Sequence, residues 1–151
     1  MQIEMTASKG LVQKAVGNSQ VITIGQITRT IRTLENTVTS EADAATATDT
    51  GIVPPAGCRI LGYKIEVVSV TGAPAGAITD LGFKNGDLDA ITGTTNKALA
   101  MNALGSLALP AADAARNADA SGAELTLTHE GTGDAAAVCD IRVSVTIEEF
   151  S

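Results

Sequence analysis

The sequence predicts a mainly β protein: an antiparallel β-sandwich or jelly-roll-like domain with an N-terminal arm and at most one short helix. Three observations predict it. Val138–Phe150 alternates without a break, Ile141, Val143, Val145 and Ile147 on one parity and Asp140, Arg142, Ser144, Thr146 and Glu148 on the other. That is the period of two that a strand with one buried face requires. Residues 59–69 repeat the pattern, with Leu61, Tyr63, Ile65 and Val67 set against Gly62, Lys64 and Glu66. Between these long stretches lie short apolar runs separated by Gly, Pro and Asn-Gly, the punctuation of a sandwich.

Residues 1–20 mix Ile3, Met5, Leu11, Val12 and Val16 with Lys9, Lys14 and polar residues. Neither a helical nor a strand period holds, so the segment reads as an arm that packs on something else, or as a short first strand. The arm (1–20) and a single sandwich domain (21–151) are the expected organisation. Residues 21–34 read as one strand whose apolar parity changes from Ile22 and Ile24 to Ile27 and Ile31. A glycine β-bulge at Gly25-Gln26 restores a common face, leaving Arg29 and Arg32 facing solvent or an interface. Residues 35–50 are low in complexity, with Thr37, Val38 and Thr39 as the strand-like core of an edge strand.

Pro54, Pro55 and Gly57 form a corner before the 59–69 strand, because proline fixes φ and removes a donor while glycine permits a left-handed turn. Residues 71–77, holding Gly72, Pro74 and Gly76, make a loop. In 78–84, Thr79, Leu81 and Phe83 alternate with Asp80 and Gly82. Asn85-Gly86 then signals a type I′ hairpin turn. Residues 95–109 contain the helix formers Leu99, Met101, Ala103 and Leu104, bounded by Gly105 and Pro110, and predict one or two helical turns. Residues 111–122 read as a surface excursion. In 123–130, Leu125, Leu127 and His129 alternate with Thr126, Thr128 and Glu130, and 131–137 is a glycine-containing turn before the last strand.

At 151 residues the chain fits one domain. Its core is built from small side chains, since there are two Phe, one Tyr and no Trp. Each such side chain removes little area from water, at about 25 cal/mol per Å², which predicts modest stability as a monomer and self-association. Ten basic against seventeen acidic residues give a net charge of −7 with no basic stripe, a surface that repels phosphate and speaks against a nucleic-acid partner. No apolar run approaches membrane-spanning length and 1–10 lacks the apolar core of a secretory signal, so no membrane association and synthesis in a cytoplasm are expected.

Chemistry finds little to work with. Cys58 and Cys139 have no Cys-x-x-Cys spacing and read as two small buried hydrophobes, a disulfide between neighbouring strands being the alternative. His129 has no local Cys or second His and reads as a strand residue near a sheet end. Asn85, Asp87 and Asp89, with Asp80 nearby, are superficially similar to a calcium loop, but the EF-hand spacing and closing Glu are absent, leaving a solvated hairpin. No phosphate-cradling glycine loop occurs. No nucleophile, base and stabiliser can be assembled from neighbours, so the expectation is a protein that is not an enzyme and takes no cofactor or metal.

The string Asp49-Thr50-Gly51-Ile52-Val53-Pro54-Pro55-Ala56-Gly57-Cys58, followed by an alternating strand, resembles a pattern of small virion proteins of tailed bacteriophages, in which a strand enters a β-sandwich after a Pro-Gly corner. The likeness covers mainly 49–70 and 138–151, and Pro55 departs from it by standing where the variable residue usually does. The resemblance implies a capsid decoration, or cement, protein: a virion structural protein, commonly a homotrimer, on the outer surface of the phage head, made in the host cytoplasm and bound to the major capsid protein. In that setting Ile3, Met5, Leu11, Val12 and Val16 of the arm are the expected partner-binding residues. The alternative is a tail component, either a tail tube subunit or a fibre or receptor-binding domain.

Overall fold

The computed structural model describes residues 2–5, 11–16, 19–24, 27–40, 46–93, 98–117, 120–129 and 137–151. Among them the strands are, in chain order, β1 (Gln2–Met5), β2 (Leu11–Val16), β3 (Ser19–Ile24), β4 (Ile27–Thr39), β5 (Thr46–Asp49), β6 (Arg59–Thr71), β7 (Ala77–Phe83), β8 (Leu99–Ala100), β9 (Gly105–Pro110), β10 (Leu125–His129) and β11 (Val138–Phe150). The single helix among these residues, α1 (Asp113–Asn117), is one short turn and a half closed by the Asp113–Arg116 ion pair. The protein is mainly β, as its alternation requires. Its strands form two antiparallel sheets, ordered β1-β2-β3-β4-β11-β6-β9 and β5-β10-β7-β8.

The alternation of β11 organises the larger sheet. Ile141, Val143, Val145 and Ile147 are all fully buried, and β11 pairs with β4 from Asp140 to Phe150 on one side and with β6 from Val138 to Glu148 on the other. Strand β10 does the same for the smaller sheet: Leu125, Leu127 and His129 are buried between β5 and β7. Side chains of both sheets meet in one core cluster, which draws on Ile60, Ile65 and Val67 from β6 and on Ile78 and Leu81 from β7. This is the β-sandwich the sequence predicts.

Several local expectations are corrected. Strict alternation places Leu61 on the inward face of β6, but Ile60 takes that place, only 1% exposed. The register shifts between Thr146, opposite Gly62, and Ile147, opposite Ile60, so Leu61 is the extra residue of a bulge. Thr79 is skipped in the same way in β7, where Thr128 faces Asp80 and His129 faces Ile78. The phase change in 21–34 is not a bulge within one strand. Strands β3 and β4 are antiparallel neighbours whose register closes with Ile24 opposite Ile27, so the two apolar parities belong to two strands. Gly25 and Gln26 themselves lie outside the described residues, as do 131–136 of the expected turn before β11.

Residues 98–109 form no helix. Leu107 and Leu109 of β9 lie opposite Ile65 and Tyr63 of β6, and β8 pairs with β7, so sheet pairing overrides the helical propensity of Leu99, Met101, Ala103 and Leu104. The helix lies instead in 111–122, beside β6. The Asn85-Gly86 turn is not type I′ either, because that turn needs positive φ at both central residues and Gly86 lacks it. Asn85 alone has φ +59°, and the Gly86 N–H donates to the Phe83 carbonyl, which centres the turn on Lys84-Asn85. The chain then folds back over Gly82 so closely that a Cβ there would lie 2.2 Å from the Leu88 carbonyl carbon.

Segment 1–20, set apart above as an arm, contributes β1, β2 and the first residues of β3. These strands extend the large sheet beyond β4, with β3 paired to 27–31 of β4.

Candidate interaction surface

Two features singled out in the sequence can be located: the five apolar residues of the arm and the 49–58 corner. Pairing of β1 with β2 sets the first. Met5 is opposite Leu11, Ile3 opposite Gln13 and Glu4 opposite Val12, while Val16 is opposite Ser19 of β3. What the sequence alone does not reveal is this register, which goes on with Leu11 opposite Ile24 and Ile24 opposite Ile27.

The corner carries the chain from the small sheet to the large one. Thr50 is fully buried; its N–H and its Oγ1 both donate to the Leu125 carbonyl, at 3.0 and 2.7 Å, while its Oγ1 accepts from the Ile52 N–H at 3.1 Å. The Thr50 carbonyl accepts from Asn36 Nδ2 at 2.8 Å, which ties the corner to β4 across the sandwich. Gly51 takes φ +71°, and a Cβ there would lie 2.8 Å from that same Asn36 nitrogen, so glycine is required on two counts. Lys84 closes the outside, 2.5 Å from Asp49 and 3.5 Å from Glu124. Next, the Gly57 N–H donates to the Ala120 carbonyl and the Ala120 N–H to the Cys58 carbonyl, at 2.9 and 2.7 Å, with Gly57 at φ +83°. Asp-Thr-Gly and Pro-Pro-Ala-Gly are thus the hydrogen-bonded hinge points of a crossing between sheets.

The remaining candidate groups sit in separate places. His129 is buried in β10 with Nε2 3.1 Å from Thr48 Oγ1. Cys58 and Cys139 are both buried and neither is in a disulfide; burial pushes the Cys139 thiol up, and its sulfur lies 3.3 Å from Ser40 Oγ. Asp87 and Asp89 share the rim of a cavity of about 310 Å³ whose wall is chiefly alanine, from Ala90, Ala112, Ala115 and Ala120. The hydrogen bond and negative charge of Asp87 push the Asp89 carboxyl above its usual range. Among the described residues no group of three His, Cys, Asp or Glu side chains is arranged to hold a metal ion.

On the polar side of the large sheet, charges pair across strands. Arg29 meets Glu148, Arg142 lies 3.3 Å from Glu66, and Asp140 accepts from Ser69 Oγ and Thr39 Oγ1, each at 2.6 Å. Those two hydroxyls hold the Asp140 carboxyl below its ordinary value, Ser69 having the larger effect.

No protein-family model matches the chain, and no curated protein matches it. Among solved structures it is similar to a chain of the cyanophage Pam1 capsid asymmetric unit, at 15% identity over 78% of this chain and 84% of that one, with a TM-score of 0.47.

Proposed function

We propose that this chain is a structural component of a tailed-phage virion, a decoration or cement protein that binds the outer surface of the head and reinforces the contacts between units of the major capsid protein. One observation carries the reading: among the described residues the large sheet continues past β4 through β3 and β2 and ends at β1, and an edge strand's backbone N–H and C=O groups are what a neighbouring subunit can pair with. The 49–58 corner supports the reading by its resemblance to virion proteins.

The physical logic is that of a clip. A shell packed with DNA is pushed outward, and a protein that touches several capsid subunits at once gains avidity from contacts that are individually weak. A closed ring of three copies matches the local symmetry where capsid units meet and buries apolar surface that a small-residue core leaves short. The net charge of −7 suits the outside of a head, away from packaged DNA. In this reading the protein performs no catalysis and needs no cofactor.

The test is cosedimentation with expanded, DNA-free heads assembled from the capsid protein encoded in the same genome. Saturable binding at a fixed ratio to capsid subunits, with heads that survive higher temperature, is the expected result. Absence of binding together with stacked rings or tubes in negative stain would overturn it in favour of a tail tube subunit.

A further inference from the structure

Among the described residues β9 ends the large sheet, with β6 on one side of it. The Ala111 N–H donates to the Leu61 carbonyl, and the β6–β9 register carries that pair on, two residues at a time, to Leu109–Tyr63, Leu107–Ile65 and Gly105–Val67. In an antiparallel ladder alternate pairs exchange both bonds, so these residues direct their backbone groups at β6. Those of Ser106 and Ala108 point the other way, as does the carbonyl of Pro110, whose missing N–H is not needed by β6. The side chains agree with an open edge. Ser106, Ala108 and Pro110 are exposed, Leu107 and Leu109 are only half-buried although they stand beside the buried Ile65 and Tyr63, and Leu104, one residue before the strand, is 69% exposed. No charged residue lies from Leu104 to Pro110, and the register with β6 has no bulge; charge and bulges are two of the devices that keep sheet edges from pairing.

We propose that β9 pairs antiparallel with β9 of a second copy of the chain about a two-fold axis through Leu107, joining the two large sheets edge to edge. The register follows from which groups point outward. On each side of the axis Ser106 of one copy and Ala108 of the other exchange N–H and C=O in both directions, and Leu107 stands opposite itself. The next outward pair sets Leu104 opposite Pro110, where the proline carbonyl accepts from the leucine N–H and the exposed leucine side chain packs on the exposed ring. Proline, which also blocks sheet edges, thus falls at the last pair, where a carbonyl suffices. Charge favours a second copy over an unrelated strand. On the outer side Lys64 lies beside Ala108 and Glu66 beside Ser106, so the axis puts Lys64 of each copy in the same cross-strand row as Glu66 of the other. Their backbones are about 14 Å apart, three strand spacings, and only Ala108 and Ser106 stand between, short enough for both long side chains to lean over. Through most other surfaces a net charge of −7 on each copy opposes association. A six-residue strand makes a contact smaller than a standard interface, so the association is weak and concentration-dependent. It uses the edge opposite β1 and does not depend on the virion reading.

Sedimentation velocity of the full chain between about 1 and 100 µM and cysteine cross-linking test it. The wild type is expected to gain mass with rising concentration. Leu107→Cys is expected to give a disulfide-linked dimer on mild oxidation, because residues opposite each other at a non-hydrogen-bonded position lie about 4.5 Å apart, within disulfide reach; the native Cys58 and Cys139 are buried and take no part. Ser106→Cys, two residues out of register with its own equivalent, is not expected to cross-link. Ala108→Pro removes one outward donor per copy and leaves the bonds to β6 intact, as proline on an edge strand does, and is expected to weaken association at least about tenfold. Ala108→Ser keeps the donor and is expected to stay within about threefold of wild type. A wild-type mass independent of concentration would overturn the proposal, and so would a Leu107→Cys variant that stays monomeric on oxidation while the wild type associates, since that association would use another surface. If the wild type stays monomeric while Ala108→Pro no longer binds heads, the pairing of copies is refuted and the virion reading stands.

Discussion

Replacing Thr50 by valine asks whether the sheet-crossing corner is set by hydrogen bonds or by shape. Valine keeps the volume and the branching and removes only the hydroxyl. The Leu125 carbonyl loses the 2.7 Å bond from Oγ1 but keeps the one from the Thr50 N–H, a loss of about 1 kcal/mol. The Ile52 N–H is left without its 3.1 Å acceptor in a place where Ile52 is only 4% exposed, and an unsatisfied buried donor costs about 1–3 kcal/mol. The added methyl returns up to about 0.8 kcal/mol of burial, so the net destabilisation is about 2 kcal/mol. Urea unfolding reads it directly. With a slope of about 2 kcal/mol per M the midpoint falls by about 1 M at unchanged slope, and the melting temperature falls by about 4–8 °C. Thr50→Ser keeps the hydroxyl and loses one methyl, about 1 kcal/mol. A serine variant less stable than the valine variant, or a valine variant within about 0.5 kcal/mol of wild type, would refute the account of the corner.

Gly82→Ala drives a Cβ into the backbone of Asp87 and Leu88, so the 87–92 turn must lift and carry the buried Ile91 with it; a loss of about 3 kcal/mol is expected by urea unfolding. Asp140 ionises more readily folded than unfolded, so its contribution to stability is present above the ordinary carboxylate pKa and is lost as pH falls through its lowered folded value. Ser69→Ala is expected to move the Asp140 midpoint up in a carbon-detected NMR titration and to start acid unfolding at higher pH. Cys58 and Cys139, each 1% exposed, should react with a thiol reagent only at the rate of unfolding; rapid modification of either in native buffer would contradict their burial.

What the sequence disclosed follows from where a single period governs. Strand β11 is legible because a neighbour lies on each side of it from Asp140 to Glu148 and Ile141, Val143, Val145 and Ile147 are all in the core. Strand β6 is legible from Tyr63 to Val67 but not at Leu61 or Val68, each an inserted residue in its register with β11, and no local signal in Arg-Ile-Leu-Gly announces the shift that moves the inward position to Ile60. The 98–109 region misleads because its residues favour helix individually, while the sheet edge beside β6 rewards their pairing collectively. The five arm residues are legible as apolar, but their cross-strand partners are not: that Met5 stands opposite Leu11 and Val16 opposite Ser19 is a property of pairing.

The same consideration explains the 21–34 stretch, which reads as one bulged strand and belongs to two. Along a straight strand, the change of apolar parity from Ile24 to Ile27 calls for an inserted residue. In the folded chain Ile24 stands opposite Ile27 and Ile22 opposite Arg29, so the antiparallel register of β3 and β4 accounts for the same spacing without a bulge. A change of phase beside a glycine is therefore as much the mark of a reversal as of an insertion, and only the strand that lies opposite separates the two.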